Sequence, residues 1–258
     1  IETEEALTIT TEGKQVIKDI VVDASGLTPR LADRFMARAY QKGYDSISLK
    51  FDNPEVMLAI QQKVPELMGY EVLNVSKDKI DIKVISNKLN LEFDPLLRRA
   101  FLVLLQMGET CHDAWKKGDK KALENIFHQD LDGNKFTYFC LRELNKNQTR
   151  MSFGKSILYY LIESLEDLGD EFKKLGKILT TSKQDNDLLH ILKKMNTMFR
   201  MSYEFFYTPE KDKAVEAFKL GKEISKEIDA LLGKKNKELT KALISIEFAS
   251  RIIYHIPT

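Results

Sequence analysis

Hydrophobic and polar positions follow different periods in two parts of the chain. Up to about residue 86 the period changes repeatedly. Lys14 to Asp23 (KQVIKDIVVD) is rich in β-branched residues and predicts a strand. Thr28-Pro29 opens a helix through Gln41, with a hydroxyl cap and a proline in the first turn. Ser46 to Phe51 (SISLKF) alternates as a strand. Asn53-Pro54 then starts a second helix that Gly69 closes. Two further strands, Tyr70 to Val75 and Lys79 to Ile85, flank the polar turn SKDK. The order β-α-β-α-β-β predicts a small sheet with helices packed on it.

From Leu91 onward glycine and proline thin out and the period settles at the helical value. Leu97, Phe101, Leu104, Gly108, Cys111 and Trp115 step by four and three. Leu161, Leu165, Leu168, Phe172, Leu175 and Leu179 repeat the pattern, as do Leu188, Leu192, Met195, Phe199, Ser202 and Phe206. Such stripes belong to long amphipathic helices in antiparallel bundles. Breaks near Lys117-Gly118-Asp119, Lys146-Asn147, Ser182 to Asp187, Thr208-Pro209 and Gly233 to Lys235 divide this part into six helices. Short loops predict that consecutive helices are antiparallel neighbours.

The six helices read as three repeated twice. Lys121 to Ile126 (KALENI) resembles Lys213 to Phe218 (KAVEAF), each opening the second helix of its triplet. The predicted fold is mostly α: two tandem three-helix bundles, 91–182 and 183–258, preceded by a small α/β domain over 1–90. The chain starts at Ile1 and stops at Thr258 inside a helical pattern, so it reads as a fragment or trimmed product, with the second bundle truncated.

Composition narrows the function classes. Of 258 residues 43% are apolar, enough for a sizeable core, and 31% are charged, which suits water-exposed helices. A net charge of +1 gives no global basic field for nucleic acid. Cys111 and Cys140 lie in apolar helical contexts without CxxC spacing and read as reduced core cysteines of a cytoplasmic protein. No apolar run approaches the roughly 20 residues of a membrane span, so membrane insertion is not expected. An enzyme is not expected either. There is no nucleophile with a base, no phosphate loop, no H-E-x-x-H, and no pair of Glu-x-x-His motifs of the di-iron kind.

Chemistry concentrates in ESLEDLGDEF. With Leu161, Leu165, Leu168 and Phe172 as the core seam, Glu163, Glu166, Asp167 and Asp170 form one outward acidic stripe. Outward acids are ordinarily solvated. Yet Glu163 with Asp167, and Glu166 with Asp170, are like charges four residues apart. Gly169 inside the helix costs about 1 kcal/mol more than alanine would. A bound cation would offset that cost, since two acids one turn apart can reach one ion.

The second helix carries HQDLDGN. Its stripe of Leu123, Phe127, Leu131, Tyr138 and Leu141 is interrupted by Asn134, with Asp130 one turn earlier. This is either a polar notch near a helix boundary, an Asn hydrogen-bonded inside the bundle, or two more oxygen donors for a cluster with Glu166 and Asp170.

These motifs resemble the PhoU family of phosphate-uptake regulators. The likeness lies in E-x-x-x-D within LEDLGDEFKKLGKIL and D-x-x-x-N within HQDLDGNKFTYFCLREL. ARAYQKGYDSISLKF followed by ELMGYEVLNVS resembles the linking segment of its archaeal form, and EALTITTEGK the tail of a SpoVT/AbrB-type DNA-binding hairpin. The resemblance implies a homodimeric regulator that contacts a phosphate transporter ATPase or another phosphate-signalling protein. It also implies surface iron or zinc bound through Glu166, Asp170, Asp130 and Asn134, with Glu163 and Asp167 beside them.

An alternative is a transcription regulator whose N-terminal AbrB-like domain binds DNA while the bundles sense or dimerise. The second bundle departs from the family pattern. The KALENI alignment puts Lys222 and Lys226 opposite Asp130 and Asn134, and the stripe of the sixth helix puts Arg251 and His255 opposite Glu166 and Asp170. Cations there repel a metal, so one cluster at most is expected. An ion pairing of this basic face with the acidic stripe, within one molecule or across a dimer, competes with metal as its explanation.

Overall fold

The computed structural model describes residues 18–85, 92–146 and 154–256. It divides into two compact units, one of residues up to 64 with 69–87, the other of 65–68 with 88 onward.

Among the described residues the first unit has four strands and two α-helices. They are β1 (Asp19–Asp23), α1 (Pro29–Gln41), β2 (Ser46–Lys50), α2 (Pro54–Lys63), β3 (Tyr70–Val75) and β4 (Lys79–Val84). The part of the expected first strand before Lys18 lies outside the described residues, as does EALTITTEGK. Both helices start where their caps predict. The Thr28 hydroxyl accepts from the Leu31 amide, and the Asn53 side chain accepts from the Glu55 amide at 2.9 Å. The sheet order is β1-β2-β4-β3. β1 and β2 run parallel, as a crossover through α1 requires, and the other pairs are antiparallel. Ile47, Leu49, Ile80 and Ile82 are buried while their strand neighbours are more open, the alternation of a sheet covered on one face.

Among the described residues the second unit holds six α-helices: α3 (Phe93–Lys117), α4 (Lys120–Lys146), α5 (Lys155–Thr181), α6 (Asn186–Tyr207), α7 (Lys211–Leu231) and α8 (Lys237–Tyr254). Gly118, in the left-handed region at φ 71°, ends α3 where a side chain would be strained. Within each triplet every helix packs on the other two. The triplets share one hydrophobic core, because α3 also packs on α6 and α5 on α8. The consecutive helices α5 and α6 are not among the principal packed pairs, contrary to the expectation from loop length. The boundary between triplets falls there, and each helix spends its apolar face on its counterpart instead. The three long stripes are buried as predicted, and Cys111 and Cys140 are buried free thiols. Burial pushes the Cys111 thiol up to about 12, which makes it unreactive at neutral pH.

The α4 stripe needs correction. Phe127 is 51% exposed and Leu131 half-buried, whereas Asp130, Gly133, Asn134 and Thr137 face the core beside Leu123, Ile126 and Tyr138. Three polar side chains are buried there: Asp130 is held by Asn134 and by Lys173 of α5, and the Thr137 hydroxyl donates to carbonyls of its own helix.

The repeat register also differs from the sequence expectation. Buried residues of α3 recur in α6 at a constant separation of 91, from Leu97 and Leu188 through Leu104 and Met195 to Trp115 and Phe206. α4 and α7 keep that separation, with Ile126, Gly133 and Thr137 matching Ala217, Ile224 and Ile228. α5 and α8 are 81 apart, with Leu158, Leu165, Gly169 and Phe172 matching Leu239, Ile246, Ser250 and Ile253. Asp130 and Asn134 therefore correspond to Gly221 and Ser225, and Glu166 and Asp170 to Glu247 and Arg251. Lys222, Lys226 and His255 are not their counterparts. A helical apolar stripe repeats almost unchanged each turn, so sliding α8 by four residues preserves the match and conceals the slip.

Candidate functional site

The α4–α5 seam gathers the predicted residues around a buried carboxylate. Asp130 is 2% exposed, and Asn134, one turn on, is also buried. Asp130 fits because Gly169 opposite it carries no side chain. A Cβ there would lie 3.2 Å from Asp130 Oδ1 and 3.1 Å from Leu104 Cδ2, tighter than a normal contact. The glycine that weakens α5 locally is thus the residue that lets α4 bring a carboxylate into the seam.

Lys173, one turn beyond Gly169, supplies the counter-charge. Its Nζ donates to Asp130 Oδ2 at 2.7 Å and also to Asp170 Oδ1. Asn134 Nδ2 donates to Asp130 Oδ2 at 3.4 Å, and Asp130 Oδ1 has no hydrogen-bond partner among the described residues. Burial pushes the Asp130 carboxyl above its ordinary range, and the charges of Asp170 and Glu66 add to that, while Lys173 pulls against it. Burial also disfavours the Lys173 ammonium, but its hydrogen bonds to Asp130 and Asp170 outweigh this and hold its pKa above the usual lysine value.

The rest of the stripe faces outward in steps. Glu166 is half-buried and accepts from the Tyr138 hydroxyl at 3.4 Å; Glu163 is half-buried; Asp167 and Asp170 are exposed. His128 is exposed and its ring meets Phe127 edge-on. The sequence reading placed Asp170 and Glu166 on the side away from Leu165 and Leu168, and so does the structure. Lys173 is the functional residue that the acidic pattern alone does not single out. The available signal was its i,i+3 spacing from Asp170.

The chemistry of the donor set bears on the implied iron or zinc. An ammonium stands between Asp130 and Asp170, where a shared ion would have to sit. Among the described residues no three His, Cys, Asp or Glu side chains are grouped so as to hold a metal ion. As arranged, the seam is an acid–lysine–acid bridge and does not fit a metal cluster. The cation facing Asp170 comes from its own helix, and Arg251 of the second triplet pairs with Glu247 at 2.6 Å.

Comparison with known proteins supports the architecture. No protein family profile matches the chain, and no curated protein matches it. Among solved structures, the phosphate transport system regulatory protein PhoU from Streptococcus pneumoniae is similar, with a TM-score of 0.51 and 17% identity over 64% of this chain and 89% of that one. A putative PhoU-like phosphate regulatory protein from Shewanella oneidensis MR-1 matches at a TM-score of 0.46 and 11% identity, over 64% of this chain and 95% of that one. The helical part of the chain shares the fold of the first of these. No helix among the described residues is long and apolar enough to cross a membrane.

Proposed function

We propose that this protein is a regulator of phosphate transport and phosphate-starvation signalling that works through protein–protein contacts on its helical unit. The observation that carries this reading is the fold: two three-helix triplets share one core here, and the chain is similar in structure to the pneumococcal PhoU. The partner is a phosphate transporter ATPase or another phosphate-signalling protein, met in the cytoplasm by a homodimer. The test is co-purification of the chain with a phosphate transporter ATPase at high and low phosphate. Phosphate-dependent association is expected; no association at either level overturns the reading. DNA binding that weakens steeply with salt would instead favour the transcription regulator, with EALTITTEGK belonging to its DNA-binding domain.

Iron or zinc on the acidic face makes a separate demand. Lys173 would have to swing out, freeing Asp130 Oδ2 for an ion shared with Asp170 and Glu166. Elemental analysis of the purified protein, and of Glu166→Gln with Asp170→Asn, tests it. Stoichiometric metal lost in the variant supports binding, and equal trace metal in both preparations rejects it.

A further inference from the structure

The α7–α8 seam is the counterpart of the Asp130 seam, and its contents differ at each position that matters. Gly221 stands in place of Asp130, Ser250 in place of Gly169, Arg251 in place of Asp170 and Tyr254 in place of Lys173. Neither the buried acid nor the lysine that neutralises it is present. What remains is a cavity of about 340 Å³ between the two helices, within the size range of small-molecule sites, roughly 300–1,000 Å³.

The cavity is formed by its own side chains. Tyr254 lies close over Gly221, where a Cβ would come within 2.6 Å of Tyr254 Cδ2, so the glycine makes room for the ring. The Tyr254 ring also packs on that of Phe218, with centroids 5.0 Å apart at 31°. Ile224 and Ile228, both fully buried, provide an apolar floor. Ser250 is 6% exposed, and its Oγ is buried with no hydrogen-bond partner among the described residues. A buried hydroxyl left unpaired is costly, and rotation about its Cα–Cβ bond toward the cavity would let a ligand atom pair it.

The rim is basic. Lys222 holds its ammonium over the Phe218 ring at 4.5 Å from the centroid, at the cavity edge. Arg251, with a side chain 70% exposed, gives one nitrogen to Glu247 and keeps further donors for a planar anion. His255 completes the rim. Against Lys222 and Arg251 the lining has one carboxylate, Glu247, and it is already paired.

We propose that the α7–α8 cavity binds a small organic anion. Its oxyanion head lies between Arg251 and Lys222 and takes a hydrogen bond from Ser250, and its apolar body rests on Ile224, Ile228 and Tyr254. The site stands independently of the phosphate-regulation reading, since it is argued from the cavity, the unpaired hydroxyl and the charge of the rim.

The test is isothermal titration of the full chain with 2-naphthoate, an aromatic carboxylate, and with its neutral amide, 2-naphthamide. Saturable binding at one site per chain is expected, at least tenfold weaker for the amide. Arg251→Glu should weaken naphthoate at least tenfold, and Ser250→Leu, which fills the cavity, should abolish it. Lys177→Glu, at an exposed position of α5 in the other seam, should leave it unchanged. Arg251 is solvent-exposed, so its variant remains folded even where Ser250→Leu fails, and the melting temperature checks both. Any of three results overturns the site: no saturable binding at about millimolar naphthoate, equal affinity for acid and amide, or affinity indifferent to Arg251→Glu.

Discussion

The α4–α5 and α7–α8 seams share one skeleton and use it in opposite ways. Leu165, Leu168 and Phe172 on α5 have their counterparts in Ile246, Ala249 and Ile253 on α8, all buried. Between those fixed points the first seam carries a buried carboxylate with its own ammonium, and the second a glycine, an unpaired hydroxyl and a cavity. Packing is what the repeat conserves, and polar chemistry is what it varies. A charge taken into a helix seam must be neutralised within it, because the desolvation it suffers is several kcal/mol. Where the charge is absent the neutralising group is free to go, and space is left over.

The largest effects should come from the shared skeleton. Phe172→Ala and Ile253→Ala each remove a fully buried side chain from the common core, and each should cost about 3–4 kcal/mol. Calorimetry should show a single transition for the helical unit, shifted down by either substitution. Two separable transitions, each sensitive to one variant, would show that the triplets are independent.

Next comes Lys173→Met, which strands Asp130 in the seam and should cost about 3 kcal/mol at neutral pH. The pH dependence has a definite sign. Asp130 has a raised pKa in the folded state, so the stability linked to its protonation is fully present below the ordinary value of 3.8 and is lost as pH rises through the folded value. Removing Lys173 takes away the group that pulls this pKa down, so the variant should lose more stability than wild type between about pH 4 and 7. Denaturant melts at the two pH values measure it, and a deficit independent of pH would break the comparison. Lys173 has the complementary dependence. Its pKa is raised, so its contribution persists below the ordinary value of 10.5 and disappears only as alkaline pH passes the folded value.

Smaller effects sharpen the picture. Gly169→Ser imports the second seam's residue into the first and should cost about 1 kcal/mol. The gain in helix propensity is outweighed by pressure on Asp130 and Leu104. Ser250→Gly, the reverse exchange, should be nearly neutral, because it removes an unpaired hydroxyl while lowering helix propensity. Arg251→Ala should change stability by less than about 0.5 kcal/mol, since its pair with Glu247 is a surface i,i+4 bridge. Thermal melts of the three variants rank them.

Much of this arrangement was legible in the sequence, and the illegible part has physical causes. Caps and breakers mark their ends locally, so Thr28-Pro29, Asn53-Pro54 and Gly118 place helix boundaries to within a residue or two. The long stripes of α3, α5 and α6 identify their buried faces because no charged residue competes there. On α4 the competition is decisive. Phe127 is the more hydrophobic residue, yet Asp130 is the buried one, because Gly169 and Lys173 on another helix accommodate it. No period within α4 encodes that partner. Fusion of the triplets through α3–α6 and α5–α8 is hidden for the same reason, since an apolar face announces burial without naming what covers it. The acidic stripe was legible as a face, while the lysine bridging it was marked only by its i,i+3 spacing from Asp170.

The most direct measurement is a double-mutant cycle of Lys173→Met and Asp130→Asn at pH 7 and pH 4, read by denaturant unfolding. An internal ion pair in the α4–α5 seam predicts a coupling of about 1.5 kcal/mol or more at pH 7. The second substitution should then rescue much of the first, and the coupling should shrink at pH 4. Additive effects at both pH values would contradict the account, leaving Lys173 a surface lysine and Asp130 held by something other than its charge.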